Sequence, residues 1–350
     1  MSSSGYESPS WPSWPSFGIQ EMYLACDGHL ITTIMYGASL IEVHLHPTGS
    51  WRGAEDELIE NYKVACNDVV KVWKKKFAAD DVASHIMSAG KEAFKKLAPV
   101  QSAEDFHPLI LPEKLICTLS NVEGEWQITE LEKGLHTNVP GGREPMRRAV
   151  LEDDTAMDLP RYSTKDIKLV ERLGRSGIVA RVVVDGQERC VRVLDRNTHR
   201  AVQREFDCLK KIAASPYAAT IRTPKLLGIV VVPDDGRAIG IIEEYISHPE
   251  VYEMSNLGRI GHVTEVDKKR REKWASQIRE TVTQLHEIGV VWGDAKPSNV
   301  LIEPSTDDVR LIGFGGGFTT PWVDDKMAET VQGDDEAVRK IAAYLKVRLE

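Results

Sequence analysis

Three polar residues within six positions have side chains that can do chemistry together. Asp294, Lys296 and Asn299 lie in residues 291–302, VWGDAKPSNVLI, a segment that ends in a short predicted strand. A carboxylate can accept the proton of an attacking hydroxyl, and an ammonium group can neutralise a phosphate oxygen. An amide oxygen can ligate a hard metal ion. One loop would therefore supply a base, a positive charge and a metal ligand, which are parts that phosphoryl transfer requires.

The segment resembles the catalytic loop of protein kinases, whose pattern is H-R-D-x-K-x-x-N. The resemblance implies that Asp294 is the catalytic base, that Lys296 stabilises the transferred phosphoryl group and that Asn299 holds Mg²⁺. It covers roughly residues 160–350. Within the family, the short ending after residue 317 looks more like the minimal, atypical kinases, such as RIO-type and aminoglycoside-phosphotransferase-like relatives and short kinase-like proteins of fungi.

Two segments depart from the family pattern. Trp292 and Gly293 replace the His-Arg pair of the catalytic loop. Residues 311–318, LIGFGGGF, stand where D-F-G should follow, and Gly313 replaces its Asp. Because glycine has no side-chain oxygen, the main magnesium site would lose its anionic ligand.

The elements before the loop resemble the smaller, N-terminal lobe of a kinase. Residues 166–193 predict three strands with glycine turns, and the resemblance places Gly174 and Gly177 over the nucleotide phosphates. Arg192 occupies the place of the family's strand-three lysine. Glu205, on a helix predicted for about 198–213, is expected to pair with Arg192 and so to help form the nucleotide site.

Residues 243–246, EEYI, follow two further predicted strands and resemble the hinge that holds adenine through its backbone. Glu244 and Ile246 are therefore expected to bind the nucleotide. A helix predicted for 265–288 precedes the catalytic loop. A terminal helix over 333–344 carries Asp334, which is expected to brace that loop.

The fold class expected from these elements is α+β, a bilobal protein-kinase-like fold with a short C-lobe, preceded by a small α+β N-terminal domain. Its N-lobe would cover 159–246 and its C-lobe 247–350. The Ser/Pro/Trp-rich residues 1–16 predict a disordered tail, and the glycine- and proline-rich residues 136–158 predict a linker. In the N-terminal domain, 17–135, the pattern predicts a hairpin at Asp27-Gly28, helices over 54–78 and 81–97, and a second strand pair near 115–131.

Composition restricts the class of protein. The net charge of −9 argues against a nucleic-acid or acidic-membrane surface, because such surfaces depend on an excess of Lys and Arg. Five scattered cysteines predict neither a disulfide framework nor a zinc site. His44 and His46 would share a strand face, but with no third ligand in view a structural role is favoured. Without a signal peptide or a long apolar run, an intracellular protein, cytoplasmic or nuclear, is expected.

Two functions from different classes remain open. The first is an ATP- and Mg²⁺-dependent phosphotransferase that transfers the γ-phosphate to a hydroxyl of Ser, Thr or a small molecule, impaired by Gly313. The second is a catalytically inactive pseudokinase, a nucleotide-binding or partner-binding scaffold that recruits proteins through the N-terminal domain or the Trp-Pro tail. A third reading takes Gly313 as a substitution in an otherwise active enzyme.

Overall fold

A computed structural model of the chain describes residues 17–36, 39–50, 53–67, 72–97, 105–111, 113–130, 150–152, 158–173, 178–194, 198–247 and 256–348. The chain divides into two units, Met1–Glu144 and Pro145–Glu350. The predicted tail, most of the predicted linker, and Gly174 and Gly177 lie outside the described residues. None of the helices within these described ranges is both long and apolar enough to cross a membrane.

The first unit is built on a five-stranded sheet. Strands β1 (Phe17–Leu24), β2 (Leu30–Tyr36), β3 (Ser39–Leu45), β4 (Glu113–Val122) and β5 (Glu125–Glu130) lie in sequence order. All neighbours are antiparallel except β3 and β4, which are parallel. Parallel neighbours require a long crossover connection. Here the connection contains α1 (Ala54–Asn67), α2 (Val72–Leu97) and α3 (Phe106–Ile110).

Both predicted hairpins of this unit are present, but the helix boundary was predicted wrongly. The sequence predicts a break near residues 79–80, whereas α2 runs without interruption from Val72 to Leu97. Residues 78–81, AADD, contain no glycine or proline and therefore nothing that stops a helix. The core of the unit joins the sheet to the helices through Ile34, Ile41, Val43, Tyr62, Val82 and Ile86.

His44 and His46 have a neighbour that the sequence pattern did not indicate. The ring of His29 lies 5.1 Å from that of His44 and 4.7 Å from that of His46. His29 precedes β2, and the antiparallel register of β2 and β3 brings it to the same edge of the sheet. Among the residues that the structure describes, no group of three or more His, Cys, Asp or Glu side chains is arranged to hold a metal ion.

The second unit begins with a six-stranded sheet. Its strands are β6 (Arg161–Ser163), β7 (Lys168–Arg172), β8 (Ile178–Val184), β9 (Gln187–Val193), β10 (Leu226–Val231) and β11 (Ala238–Glu244), in the order β6-β10-β11-β9-β8-β7. Helix α4 (His199–Ala213) connects β9 to β10. Its buried residues repeat every three to four positions and include Phe206, Leu209 and Ile212, so one face packs into the core.

The helical part of this unit follows the sheet. Helix α5 (Lys268–Glu287) leads to the hairpin of β12 (Val300–Ile302) and β13 (Val309–Leu311), and helix α6 (Val331–Tyr344) ends the described part. One hydrophobic core joins α4, α5, α6 and this hairpin, with Trp274, Trp292, Leu311 and Ile341 fully buried.

This core also includes Leu151, a residue that the sequence places in the linker. Leu151 is buried in the core, and its backbone N–H donates to the carbonyl of Ala238 at 2.8 Å. Gln203 of α4 holds the next residue, Glu152, through both of its backbone polar groups. The chain therefore joins the second unit before residue 159. All five cysteines lie within the described residues as free thiols.

Candidate active site

The β12–β13 hairpin places Asn299 beside Gly313. Val300 pairs with Leu311, and one step further out the backbone N–H of Ile312 donates to the carbonyl of Asn299 at 3.0 Å. The tight turn Pro297–Asn299 leads directly into β12. The asparagine and the glycine therefore face each other across the end of a short antiparallel ladder.

A closed ring of hydrogen bonds surrounds Asp294. Its Oδ2 accepts from Lys296 Nζ, and its Oδ1 accepts from Thr319 Oγ1 at 2.8 Å. Lys296 Nζ also donates to Thr319 Oγ1 at 2.9 Å. Asn299 Nδ2 donates to the Asp294 carbonyl at 2.8 Å and to Oδ2 at 3.2 Å. The structure thus brings together the three residues predicted to be catalytic and adds Thr319 to them.

The backbone at Gly313 is adapted to glycine. Its φ is +81°, a left-handed conformation that costs other residues free energy, least for Asn and Asp. A Cβ atom there would lie 2.7 Å from Asn299 Nδ2. A side chain at position 313 would therefore require the Asn299 amide to shift.

The donor set for a protein-held magnesium ion is small. Asn299 offers one neutral oxygen, and Gly313 offers no side-chain oxygen. Mg²⁺ usually takes one or two carboxylates together with substrate phosphates. Of the four aspartates that could replace the missing carboxylate, Asp307, Asp308, Asp324 and Asp325, three have other partners: Asp307 pairs with Arg270, Asp308 with Gln277 and Lys273, and Asp324 accepts from a backbone N–H. This site does not fit a magnesium ion held by protein carboxylates.

Asp334 braces the catalytic loop from below, as the sequence predicts. Its buried carboxylate accepts from the backbone N–H of Trp292 at 2.7 Å and from that of Gly293 at 2.9 Å. His286 Nε2 lies 3.0 Å from the same carboxylate. Hydrogen bonds to a charged group are each worth about 1.5–3 kcal/mol. The first residues of α6 thereby fix the start of the catalytic loop.

Arg204 of α4 braces the loop from the other side. Its guanidinium donates to the carbonyls of Val291 at 2.9 Å and Trp292 at 3.3 Å, and also to that of Phe314. The absence of a side chain at Gly293 makes room for it, because a Cβ there would lie 3.0 Å from the Arg204 guanidinium. One cation thus ties together the catalytic loop and the glycine-rich segment after β13.

A buried charge cluster lies on the sheet next to α4. Arg192 Nε is 3.2 Å from Glu205 Oε2, which is the ion pair predicted from the sequence, and also 3.2 Å from Glu243 Oε1. The side chain of Arg192 is 19% exposed, those of Glu205 and Glu243 only 5% and 3%. Glu205 also lies 3.4 Å from the backbone N–H of Phe314.

The charges of this cluster shift one another's pKa values. Burial opposes the charge of Arg192, but Glu205 and Glu243 outweigh it and raise the pKa of Arg192. Burial raises the pKa of Glu243 to about 8; Arg192 opposes this shift and Glu205 adds to it. Glu243 is therefore largely protonated at neutral pH.

The segment predicted as the hinge begins in β11. Glu243 and Glu244 are the last two residues of that strand, and the side chain of Glu243 lies in the buried charge cluster. Glu244 ends β11 and lies 3.9 Å from Arg310, while Ile246 is buried in the loop that follows. Adenine recognition by the backbone of Glu244 and Ile246 stays a prediction.

Three residues of the site were not found from the sequence. Thr319 lies in a segment without a motif, and Arg204 is one of many charged residues on α4. Glu243 had a signal: it is a carboxylate in a strand whose preceding residues, AIGII, are all apolar or glycine. A buried acid in such a strand requires a cation nearby, and Arg192 is diagonally opposite on β9.

Comparison with known proteins agrees with this geometry. Residues 173–335 match the family model described as the protein kinase domain. A probable cAMP-dependent protein kinase catalytic subunit of Encephalitozoon cuniculi is 28% identical over 115 residues, 33% of this chain and 31% of that protein. The serine/threonine-protein kinase PKH1 of Saccharomyces cerevisiae is 28% identical over 162 residues, 45% of this chain and 20% of that protein.

Two further similarities were found. The ribosomal protein S6 kinase beta of Caenorhabditis elegans is 25% identical over 181 residues, 49% of this chain and 32% of that protein. The structure of the Cydia pomonella granulovirus kinase PK-1 matches with a TM-score of 0.41 and 18% identity, over 51% of this chain and 68% of that one. The chain spans between a fifth and a third of the length of the curated relatives described here.

The second unit is a protein-kinase-like domain, with a sheet, a helix that carries the partner of Arg192, and a catalytic loop in the family's order. Residues 173–335, all within this unit, match the protein kinase domain, so the second unit is similar to protein kinases.

Proposed function

We propose that the chain is an ATP-dependent phosphotransferase that transfers the γ-phosphate to a hydroxyl group of a serine, a threonine or a small molecule. The observation that carries the proposal is the ring of Asp294, Lys296 and Thr319, in which a carboxylate already accepts a hydrogen bond from an aliphatic hydroxyl at 2.8 Å. An acceptor hydroxyl that reaches the Asp294 carboxylate at a similar distance, beside Thr319, would have the geometry that general-base catalysis requires.

Each residue of the ring has a role in this mechanism. Asp294 orients the acceptor hydroxyl and takes its proton as the new O–P bond to the γ-phosphorus forms; the bond from that phosphorus to the β,γ-bridging oxygen breaks, and ADP leaves. Lys296 moves from Asp294 toward the transferred phosphoryl group and stabilises its negative charge. Asn299 fixes Asp294 through the backbone carbonyl and the carboxylate. Mg²⁺, when it accompanies ATP, neutralises phosphate charge, and Asn299 would be its neutral protein ligand.

The absence of a carboxylate at position 313 supports a low turnover. Positioning and charge neutralisation of the phosphates normally contribute several kcal/mol to the stabilisation of the transition state. A second candidate function follows from the same residue: a pseudokinase that binds nucleotide, or a protein partner, without turnover. Such a scaffold would need the fold of the cleft but would not need the ring of hydrogen bonds around Asp294.

The test is phosphate transfer from radiolabelled ATP to a degenerate library of Ser/Thr peptides, and to the chain itself. Thr319→Val removes one hydrogen bond from Asp294 and one from Lys296, so we expect the rate to fall about tenfold to hundredfold, while Thr319→Ser retains most of it. Asp294→Asn should abolish transfer.

The matched control is Asp335→Asn, the same substitution at an exposed position of α6. Incorporation of phosphate that persists in Asp294→Asn would contradict the assignment of the base. ATP binding without transfer in any of these proteins would favour the scaffold.

A further inference from the structure

Arg192 lies between two buried carboxylates, and a kinase-like nucleotide site needs only one. Both 3.2 Å contacts are made to Nε, which carries a single hydrogen. Within the described residues, neither Arg192 Nε nor Glu243 Oε1 has a well-aligned hydrogen-bond partner. Charge holds the cluster together more than directional hydrogen bonds do. Such an arrangement can reorganise when a new anion approaches.

The charge of the cluster depends on Glu243. With Glu205 ionised and Glu243 protonated, Arg192 and Glu205 form a neutral pair. With both carboxylates ionised, the cluster carries a net charge of −1. A buried negative charge beside the phosphate-binding cation would repel a triphosphate, and burial makes that repulsion stronger than it would be in water.

We propose that Glu243 is a second, competing partner of Arg192, so that a nucleoside triphosphate binds this cleft together with a proton on Glu243. The inference rests on the proposed function, because it assumes that Arg192 contacts the nucleotide phosphates. It assigns to Glu243 a positioning role: the residue does not touch the phosphates but decides whether Arg192 is available to them.

Three ionisable groups face Glu243 from the neighbouring elements. Cys190 lies directly opposite on β9, and burial raises the pKa of its thiol to about 12. Arg192, diagonally opposite, remains a cation because its neighbouring carboxylates raise its pKa. Glu205, from α4, is the other carboxylate. Burial raises the pKa of Glu243 to about 8, which lies within an accessible range.

The first experiment is isothermal titration of the full chain with ATP. The affinity should fall about tenfold between about pH 7 and about pH 9, because binding is linked to one proton whose site ionises in this interval. Phosphate groups with a second pKa of about 6 are already ionised there. At about pH 8.5, titration in two buffers of different ionisation enthalpy should reveal net proton uptake, a measurement that requires no variant.

Glu243→Gln removes the titrating carboxyl group but keeps the shape of the side chain. The ATP affinity of this variant should be nearly independent of pH, and at about pH 9 it should be about tenfold higher than that of the unmodified chain. Glu280→Gln is the matched control: the same change in an exposed Arg–Glu pair, with Arg222, outside the cluster. An equal pH dependence in the unmodified chain and in Glu243→Gln, or no proton uptake, would overturn the inference.

Thermal unfolding without nucleotide separates this inference from the proposed function. The folded chain holds the Glu243 proton up to about pH 8, whereas the unfolded chain loses it near pH 4.5, so rising pH destabilises the fold over this interval. The Tm of Glu243→Gln minus that of the unmodified chain should therefore increase from about pH 5 to about pH 8. If that growth is seen but ATP binds neither protein, the proposed function fails while the charge cluster stands; if it is absent, Glu243 is not the titrating group.

Discussion

At position 313 the departure from the kinase pattern concerns both charge and packing. The sequence shows that the family's carboxylate is missing here. The structure adds that the backbone at Gly313 has a positive φ, which glycine tolerates best, and that the Asn299 amide occupies the space where a side chain would lie. Repair of the site is therefore a matter of backbone strain and packing as well as charge. Asp and Asn are the non-glycine residues that best tolerate a positive φ, so substitutions to Asp and to Asn at position 313 should impose similar backbone strain.

The prediction at this scale compares Gly313→Asp with Gly313→Asn. We expect Gly313→Asp to raise the rate of Mg²⁺-dependent ATP turnover at least tenfold, since it restores an anionic ligand, equivalent to about 1.4 kcal/mol of transition-state stabilisation. Gly313→Asn imposes the same strain and the same clash with Asn299 but adds no charge, so it should show no gain.

The readout is the initial rate of turnover at saturating ATP, and the double variant Gly313→Asp, Asp294→Asn should lose the gain. Equal rates in the Asp and Asn variants would show that the carboxylate is not the missing part.

At the scale of elements, the sequence predicted what local patterns determine. The order of strands and helices follows from amphipathic periodicity and turn residues, whereas the Arg192–Glu205 pair and the brace by Asp334 were expected from the resemblance to protein kinases. Thr319 and Arg204 could not be predicted, because their partners lie 25 and about 87 to 110 residues away and depend on tertiary packing. The continuous α2 was not predicted, although residues 78–81 contain no helix-breaking glycine or proline.

The brace between α6 and the catalytic loop gives a prediction for stability. In Asp334→Asn one carboxylate oxygen becomes an NH₂ group, which must face a backbone N–H of Trp292 or Gly293. Two donors then point at each other, and we expect a loss of about 3 kcal/mol, which lowers the Tm by about 10 °C. Asp335→Asn, the exposed neighbour, should change the Tm by no more than about 2 °C. A Tm for Asp334→Asn equal to that of the control would mean that the brace contributes little.

At the scale of the whole molecule, each unit has its own core. The cluster of the first unit draws on residues between Leu30 and Leu119, and that of the second on residues between Leu151 and Leu345. Independent cores are what define separate domains, and a unit of about 200 residues can bury about 70% of the surface of its unfolded chain.

We therefore predict that residues 145–350, produced alone, unfold in a single cooperative thermal transition and keep the ATP-dependent rise in Tm of the full chain. The matched comparison is a fragment that begins at residue 159 and lacks Leu151, whose loss leaves a cavity in the core. We expect that fragment to be less stable by about 2–4 kcal/mol. A shorter fragment as stable as the longer one would show that the segment around Leu151 is not part of the domain.

A buried tryptophan of the catalytic loop provides a fluorescence signal for rearrangement of the site. Trp292 is fully buried, and its indole N–H donates to the carbonyl of Ile312 at 2.8 Å, one residue before Gly313. Indole emission shifts to longer wavelength when the surroundings of the ring become more polar or when its packing becomes less rigid. Rearrangement of the 313–317 segment should therefore appear in the emission spectrum, and the difference between the chain and its Trp292→Phe variant isolates that signal from those of the other seven tryptophans.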